Sequence, residues 1–155
     1  MSVRFKQKSP DAISQLAKRY GKGADIALGW PTGTDSVGLK YPDGTSVLMV
    51  AFWNNFGTKG IPRRDFMTAG GRLALEKTSP IARKGMKKIN AGTLTVEQLY
   101  DQIGAVGAFQ IGQAAVDLKT PANAQSTIDA KGGKANPLVE TGLMTQSSTW
   151  SVRKK

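Results

Sequence analysis

The chain has 155 residues, of which 39% are hydrophobic and 21% are charged, a balance typical of a single globular domain. Its 22 lysines and arginines outnumber 11 acidic residues, and the resulting net charge of +11 attracts polyanions or an acidic protein partner. The chain contains no cysteine and no histidine. Disulfides, thiolate or imidazole metal sites, and catalysis that depends on histidine are therefore excluded.

The acidic residues are scattered along the chain, without an Asp-x-Asp pair, and no Walker-type phosphate loop is present. General acid–base catalysis and metal binding both need such groups to be clustered. We therefore expect a protein that is not an enzyme and that uses no cofactor and no metal. No window of about eighteen apolar residues occurs, so no membrane span is expected, and the charged N-terminus lacks the apolar segment of a secretory signal.

The first part of the chain predicts a flexible arm over residues 1–10 and a short helix over 11–20. Residues 24–30 alternate between large apolar and small or polar side chains, which is the period-two pattern of a strand. Residues 37–41 repeat this alternation and lead into a strong turn signal at 42–44, so a second strand is predicted there.

Residues 45–56 are compatible with two structures. The continuous apolar run 47–53 is typical of a buried strand. Thr45 or Ser46 could instead cap a helix that carries apolar residues along one side. The residues alone leave both possibilities open.

A basic loop over 57–64 leads into a predicted helix over 65–89, for which Asp65 is a plausible N-cap. The helix contains Pro80, which suggests one of two outcomes. Proline is tolerated in the first turn, so Pro80 could restart the helix; otherwise it would kink it.

A further helix is predicted over 95–118, where Thr95 and Gln98 fit a capping box and an apolar stripe follows. Three glycines lie in this helix despite their cost to helix stability. Either another part of the backbone packs closely against them, or tertiary packing overrides their propensity. The three are Gly104, Gly107 and Gly112.

The segment 119–137 is polar and rich in small residues, so a long loop is predicted there. Alternation resumes near the end of the chain, which predicts a last strand over 145–152 and a flexible tail over 153–155. Together these elements predict one α+β domain over 1–155, with a small, mainly antiparallel sheet packed against two longer helices and with long loops.

Two phrases of the sequence are distinctive: NNFGTKGIPRRDF at 54–66 and PLVETGLM at 137–144. In this order and at this separation they resemble phrases of the tail-completion and neck proteins of tailed bacteriophages. TIDAK at 127–131 also resembles a family phrase that precedes a glycine-rich turn. The resemblance implies a helix for residues 45–56.

The resemblance also implies a function. It suggests a non-enzymatic virion component of the ring that connects the head to the tail, assembled in the host cytoplasm. Its partners would be further copies of itself, in a sixfold or twelvefold ring, and other neck, connector and tail proteins. Non-specific contact with genomic DNA is possible, and no membrane is involved. A tail terminator is the alternative within this class. A small basic nucleic-acid-binding protein is the rival outside it, although no recognised nucleic-acid-binding motif is present.

The two phrases, the aromatic residues just before the first and the loop before the second supply the candidate residues for a subunit interface, because aromatic residues and arginine are enriched at interface centres. For the aromatic residues the competing interpretation is burial in the core, and for the paired arginines it is an ion pair within the chain. The candidates are Phe52, Trp53, Phe56, Lys59, Ile61, Arg63, Arg64, Lys131, Lys134, Leu138 and Glu140.

Two positions in the first phrase depart from the family pattern. The family carries one arginine in the loop, at the position of Arg64, so Arg63 is an addition of this chain and the better candidate for a surface contact. The family often has Glu where this chain has Asn55, which puts in doubt any ion pair between that position and the loop arginine. Asn55 could still form a hydrogen bond with the loop backbone.

Overall fold

The computed structural model describes residues 18, 20, 21 and 23–155. The predicted arm over 1–10 and most of the predicted helix over 11–20 lie outside the described residues, although Lys18 and Tyr20 are helical. The described part contains two strands, β1 (Ala24–Gly29) and β2 (Thr149–Lys154). It also contains five α-helices: α1 (Val47–Phe56), α2 (Phe66–Asn90), α3 (Val96–Asp117), α4 (Gln125–Ala130) and α5 (Leu143–Gln146).

The two strands form an antiparallel sheet in which Ala24 is opposite Lys154 and Gly29 is opposite Thr149. Helix α3 packs against both strands, and α2 packs along α3. Strand β2 is also tied to α3 by hydrogen bonds: the Ser148 hydroxyl just before it donates to the carbonyl of Ala108 at 2.9 Å. The predicted α+β class is therefore confirmed.

The main core lies between α1, α2, α3 and the segment around α5. Phe66 and Val47 are fully buried in it, and Trp30 contacts Phe66 edge-on, with ring centroids 6.3 Å apart. A smaller cluster joins the end of α2 to the start of α3 through Ile89 and Leu99. The remaining buried members of the main core are Ala51, Ile111, Ala115, Leu138 and Met144.

Several local predictions are confirmed. The helix alternative for 45–56 is correct, and the Ser46 hydroxyl accepts from the amide of Met49 at the start of α1. Helix α2 runs through Pro80 as one element, so the proline does not end it. Helix α3 begins with the predicted capping box, in which Thr95 and Gln98 each accept from the other's backbone amide.

The glycines of α3 lie at close contacts, but only Gly112 meets another part of the backbone, whereas Gly104 and Gly107 meet side chains. The first of their two explanations is therefore confirmed for Gly112 alone. A Cβ added at Gly112 would collide with the backbone carbonyl of Thr145, and one added at Gly107 would lie 2.8 Å from a methyl carbon of Leu28. Gly104 lies directly against the indole of Trp150. The absence of these side chains lets the sheet and the segment before β2 approach the helix closely.

The predicted strand over 37–41 is wrong. A 3₁₀ turn occupies Asp35–Gly38, and only Lys40 forms a bridge, to Ser46. The Thr34 hydroxyl donates to the carbonyl of Pro31 at 2.7 Å and contacts the Ser36 hydroxyl at 2.8 Å. The backbone of the predicted strand is used by the turn and by the start of α1, because the Val37 amide donates to the carbonyl of Thr34 and the Leu39 carbonyl accepts from the amide of Val47.

Two predictions for the end of the chain also need correction. The last strand begins at Thr149 rather than 145, because α5 occupies Leu143–Gln146 after Gly142, whose φ of 81° suits glycine. The tail predicted over 153–155 is wrong for Arg153 and Lys154, which belong to β2. The segment 119–137 is likewise not loop throughout, because it contains α4.

Candidate functional site

The fold brings the two distinctive phrases into contact. Helix α1 carries the start of the first phrase, and the second phrase, 137–144, packs beside it through the buried side chains of Leu138 and Met144. Between them lies an open cleft of about 420 Å³ that Tyr41, Val50 and Asn54 also line. Residues that are more than eighty positions apart in sequence therefore form one structural unit.

Arg64 ties the first phrase to the segment 121–123. Its side chain is buried, with 3% exposed, and its guanidinium donates to the carbonyls of Pro121 at 2.9 Å and Ala122 at 3.1 Å. It also donates to the side-chain oxygens of Asn54 at 2.7 Å and Asn123 at 2.9 Å. Burial lowers the pKa of the Arg64 guanidinium from its usual value. Arg64 thus clamps α1 to the segment that follows α3.

The two asparagines of the first phrase have separate roles. Asn55 is buried, and its side-chain oxygen accepts from the amide of Met67 at 3.0 Å, which satisfies a free N–H in the first turn of α2. Asn54, rather than Asn55, contacts the loop arginine, and it also donates to the carbonyl of Val50 at 2.9 Å. Neutral amides therefore perform the positioning that an ion pair would otherwise provide.

The cleft is lined by four titratable side chains: Tyr41, Asp43, Lys131 and Glu140. Burial raises the pKa of the Tyr41 hydroxyl, and the negative charge of Glu140 raises it further. Burial lowers the pKa of Lys131, an effect that Glu140 opposes. The Lys131 ammonium donates to the carbonyl of Asn136 at 2.8 Å, so it holds the second phrase in place. The side chains of the cleft therefore offer both hydrogen bonds and apolar contacts to a bound molecule.

An exposed apolar surface lies on the opposite edge of α1. Met49, Phe52 and Phe56, which we call the aromatic surface, are 41%, 51% and 56% exposed. The two phenylalanine rings contact each other, with centroids 4.8 Å apart and planes at 48°. They border a groove of about 230 Å³ whose floor includes Leu28 and Met67. The interpretation of Phe52 and Phe56 as core residues is therefore wrong.

The predicted interface residues fall into three groups. Phe52, Phe56, Lys59, Arg63, Lys134 and Glu140 are exposed. Trp53, Ile61 and Lys131 are half-buried. Arg64 and Leu138 are buried inside the domain, so their assignment to a subunit interface is wrong. Arg64 donates hydrogen bonds within the domain, and Leu138 packs in the core.

Among the described residues, the ion pair predicted for the adjacent arginines exists for only one of them. Arg63 forms an exposed salt bridge of 2.9 Å with Asp65, next to the start of α2. Arg64 contacts neutral oxygens instead. Of the two, Arg63 is the one exposed at the surface.

Three residues of this region were not singled out by the sequence. Tyr41 lines the cleft, Asn123 receives the Arg64 guanidinium, and Asn136 donates to the carbonyl of Val116 at 2.8 Å. Asn123 and Asn136 lie in a segment rich in small polar residues, where nothing distinguishes a structural asparagine from a solvated one. Tyr41 carried a signal, since a large aromatic residue directly before a turn often packs beneath it.

Within the described part of the chain, no three His, Cys, Asp or Glu side chains come together as a metal site would require. None of the helices described is both long enough and apolar enough to cross a membrane. No protein-family model, curated protein or solved structure matches the chain.

Proposed function

We propose that this protein is a structural component of a tailed-phage virion and forms part of the neck or tail-completion ring that connects the head to the tail. The observation that carries the proposal is the aromatic surface. Two phenylalanines more than half exposed on a well-supported helix form a patch suited to contact with another protein.

The support beneath that surface is consistent with an assembly role. Ser46 caps α1 at its first turn, and the carbonyl and side chain of Asn54, near its end, are held by the amide and guanidinium of Arg64. A contact helix fixed at both ends loses little conformational freedom on binding, so more of the contact energy contributes to affinity. A virion connector needs such pre-formed contact surfaces and needs no catalytic group.

The family resemblance supplies the rest of the proposal. The partners are other copies of this chain in a sixfold or twelvefold ring and neighbouring neck, connector and tail proteins, and genomic DNA passes through the ring. The protein is located in the virion, and in the host cytoplasm while the virion is assembled. A role as tail terminator is the closest alternative, and a nucleic-acid-binding role is favoured only by the net charge of +11.

Gold labelling of purified particles tests the proposal. A tag following Lys155, which is exposed at the end of β2, would be placed on the gene carried by its phage. We expect gold at the junction of head and tail in negatively stained particles. Purified virions that contain none of this protein, or gold at another part of the particle, would overturn the proposal.

The aromatic surface can be tested in the same phage. Replacing Phe52 and Phe56 together by Ser removes exposed apolar area, so the thermal unfolding midpoint should remain close to that of the unchanged protein. The variant should nevertheless fail to be incorporated into particles, because interface aromatics carry much of the binding energy. Normal incorporation of a correctly folded variant would show that this surface is not a contact.

A further inference from the structure

Helix α2 presents an outward face that combines basic and apolar side chains. The helix carries six basic residues and one acidic residue, Glu76. Leu75 and Met86 are 70% and 51% exposed, and Arg72 and Arg83 lie beside them. Neither arginine forms a salt bridge with another residue of the described chain. We call Arg72, Leu75, Arg83 and Met86 the basic face.

Helix α3 has the opposite character. It carries three acidic residues, Glu97, Asp101 and Asp117, and no lysine or arginine. Phe109 lies midway between the two aspartates and is 63% exposed. It borders a groove of about 490 Å³, which Ala105, Gly112, Val116 and Trp150 line further. We call Asp101, Phe109, Asp117 and this groove the acidic face.

The two faces point away from each other. Helices α2 and α3 meet where Gly70 lies against Ile111, with an added Cβ only 2.8 Å from the Ile111 Cα. Arg72 and Phe109 each lie two residues from that contact, which is roughly 200° around a helix with about 3.6 residues per turn. The residues of the basic face and Phe109 are therefore on the sides of their helices remote from the other helix, and Asp101 and Asp117 lie roughly 80° to either side of Phe109.

We propose that the basic face of one copy packs against the acidic face of the next copy. The inference builds on the proposed ring and names the two surfaces that would form it. A cyclic ring of identical subunits needs two different, complementary surfaces on each copy. Opposite charge supplies that complementarity, and it also disfavours the contact of either face with itself because like charges would meet.

The exposed apolar residues strengthen the case for a protein partner. Leu75 and Met86 on one copy could be covered by Phe109 and its groove on the next, which would remove large apolar side chains from water on both sides. A nucleic acid would account for the arginines of α2. It would leave the acidic face and the exposed Phe109 without a partner, so a second copy is the better fit.

Charge reversal tests the proposal. One variant carries Arg72→Glu and Arg83→Glu, and the other carries Asp101→Lys and Asp117→Lys. The matched control carries Lys40→Glu and Lys155→Glu, two exposed positions outside both faces that change the net charge as much as the first variant does. Circular dichroism and thermal unfolding verify that each variant folds. Because Asp101 accepts from Trp150 at 3.3 Å, the single Asp117→Lys variant replaces the double variant if the latter does not fold.

The readout is self-association, measured by sedimentation velocity at low salt. We expect the unchanged protein and the control to associate, and each reversed variant to associate about tenfold or more weakly, since like charges then meet at the contact. A mixture of the two reversed variants should restore assembly, because the reversed α2 of one fits the reversed α3 of the other. Restoration is specific to a contact between the two faces.

Three results would overturn the inference: an unchanged protein that stays monomeric, reversed variants that associate as the control does, or a mixture that does not recover. Loss of DNA binding by the Arg72→Glu and Arg83→Glu variant, with association intact, would assign the basic face to nucleic acid and also overturn it. The proposed function is judged separately by gold labelling. Absence from the virion would remove that function while leaving the contact between copies intact.

Discussion

Arg64→Met is the substitution that most sharply tests the role of the clamp. Methionine preserves most of the length and apolar contact of the side chain but removes all four hydrogen bonds that the guanidinium donates. Hydrogen bonds to a charged group contribute about 1.5–3 kcal/mol each. The full sum is not expected, because Pro121 and Ala122 are exposed and their carbonyls can bind water instead.

We therefore expect Arg64→Met to lower the free energy of unfolding by about 3 kcal/mol, which corresponds to the lower value for the two bonds to Asn54 and Asn123. That is a large part of the roughly 5–15 kcal/mol that stabilises a typical domain. With a urea dependence of about 1–3 kcal/mol/M, the unfolding midpoint should fall by about 1–3 M. The urea midpoint of Arg64→Lys should lie between those of the unchanged protein and Arg64→Met, because an ammonium cannot reproduce the planar hydrogen-bonding geometry of the guanidinium.

Arg63→Met is the matched control, since Arg63 is the adjacent residue and its one salt bridge is exposed. Its urea midpoint should stay close to that of the unchanged protein. Hydrogen exchange adds a local readout: Arg64→Met, and not Arg63→Met, should speed exchange in the segment 119–124. Equal midpoints for the two variants would refute the account of Arg64 as a clamp.

Three further predictions concern the helices and the cleft. Gly70→Ala should destabilise the protein by about 1–3 kcal/mol, because the new Cβ would meet the α3 backbone. Gly71 faces open space, so Gly71→Ala should stabilise the protein by about 0.5–1 kcal/mol. Urea unfolding that gives the same sign for both substitutions would contradict this packing. Thr95→Ala should cost about 0.5–2 kcal/mol through loss of the capping box, and an unchanged unfolding midpoint would count against that cap. Glu140→Gln should lower the pKa of Tyr41 towards its ordinary value, since removing a negative neighbour favours the phenolate. Absorbance titration at high pH measures this pKa. An unchanged pKa of Tyr41 would show that the two groups do not interact.

Periodicity and capping chemistry were enough to predict the parts of the fold that depend on local interactions. Helix α3 was predicted to within a residue at each end, because Thr95 supplies a strong start signal and a regular apolar stripe follows. Strand β1 was predicted for the same reason. The false strand at 37–41 shows the limit, because the short alternation there is overridden by the turn over Asp35–Gly38 and by a backbone bond to the start of α1.

The candidate site was less accessible from the sequence because it depends on contacts between distant segments. Phe52, Phe56 and Phe66 look alike in sequence, but only Phe66 is buried, and the choice is made by how α1 packs against α2. Arg64 and Arg63 are likewise adjacent, yet one is enclosed by 121–123 and the other is exposed. No local feature of the sequence distinguishes the buried residue from the exposed ones in either group.

Electron microscopy of lysates from a phage that lacks this gene tests the central claim most directly. The account predicts filled heads beside separate tails of normal length, because the ring that joins them would be missing. Overlong tails would contradict the joining role and assign the protein to tail termination. Normal, infectious particles would contradict any role in joining head to tail.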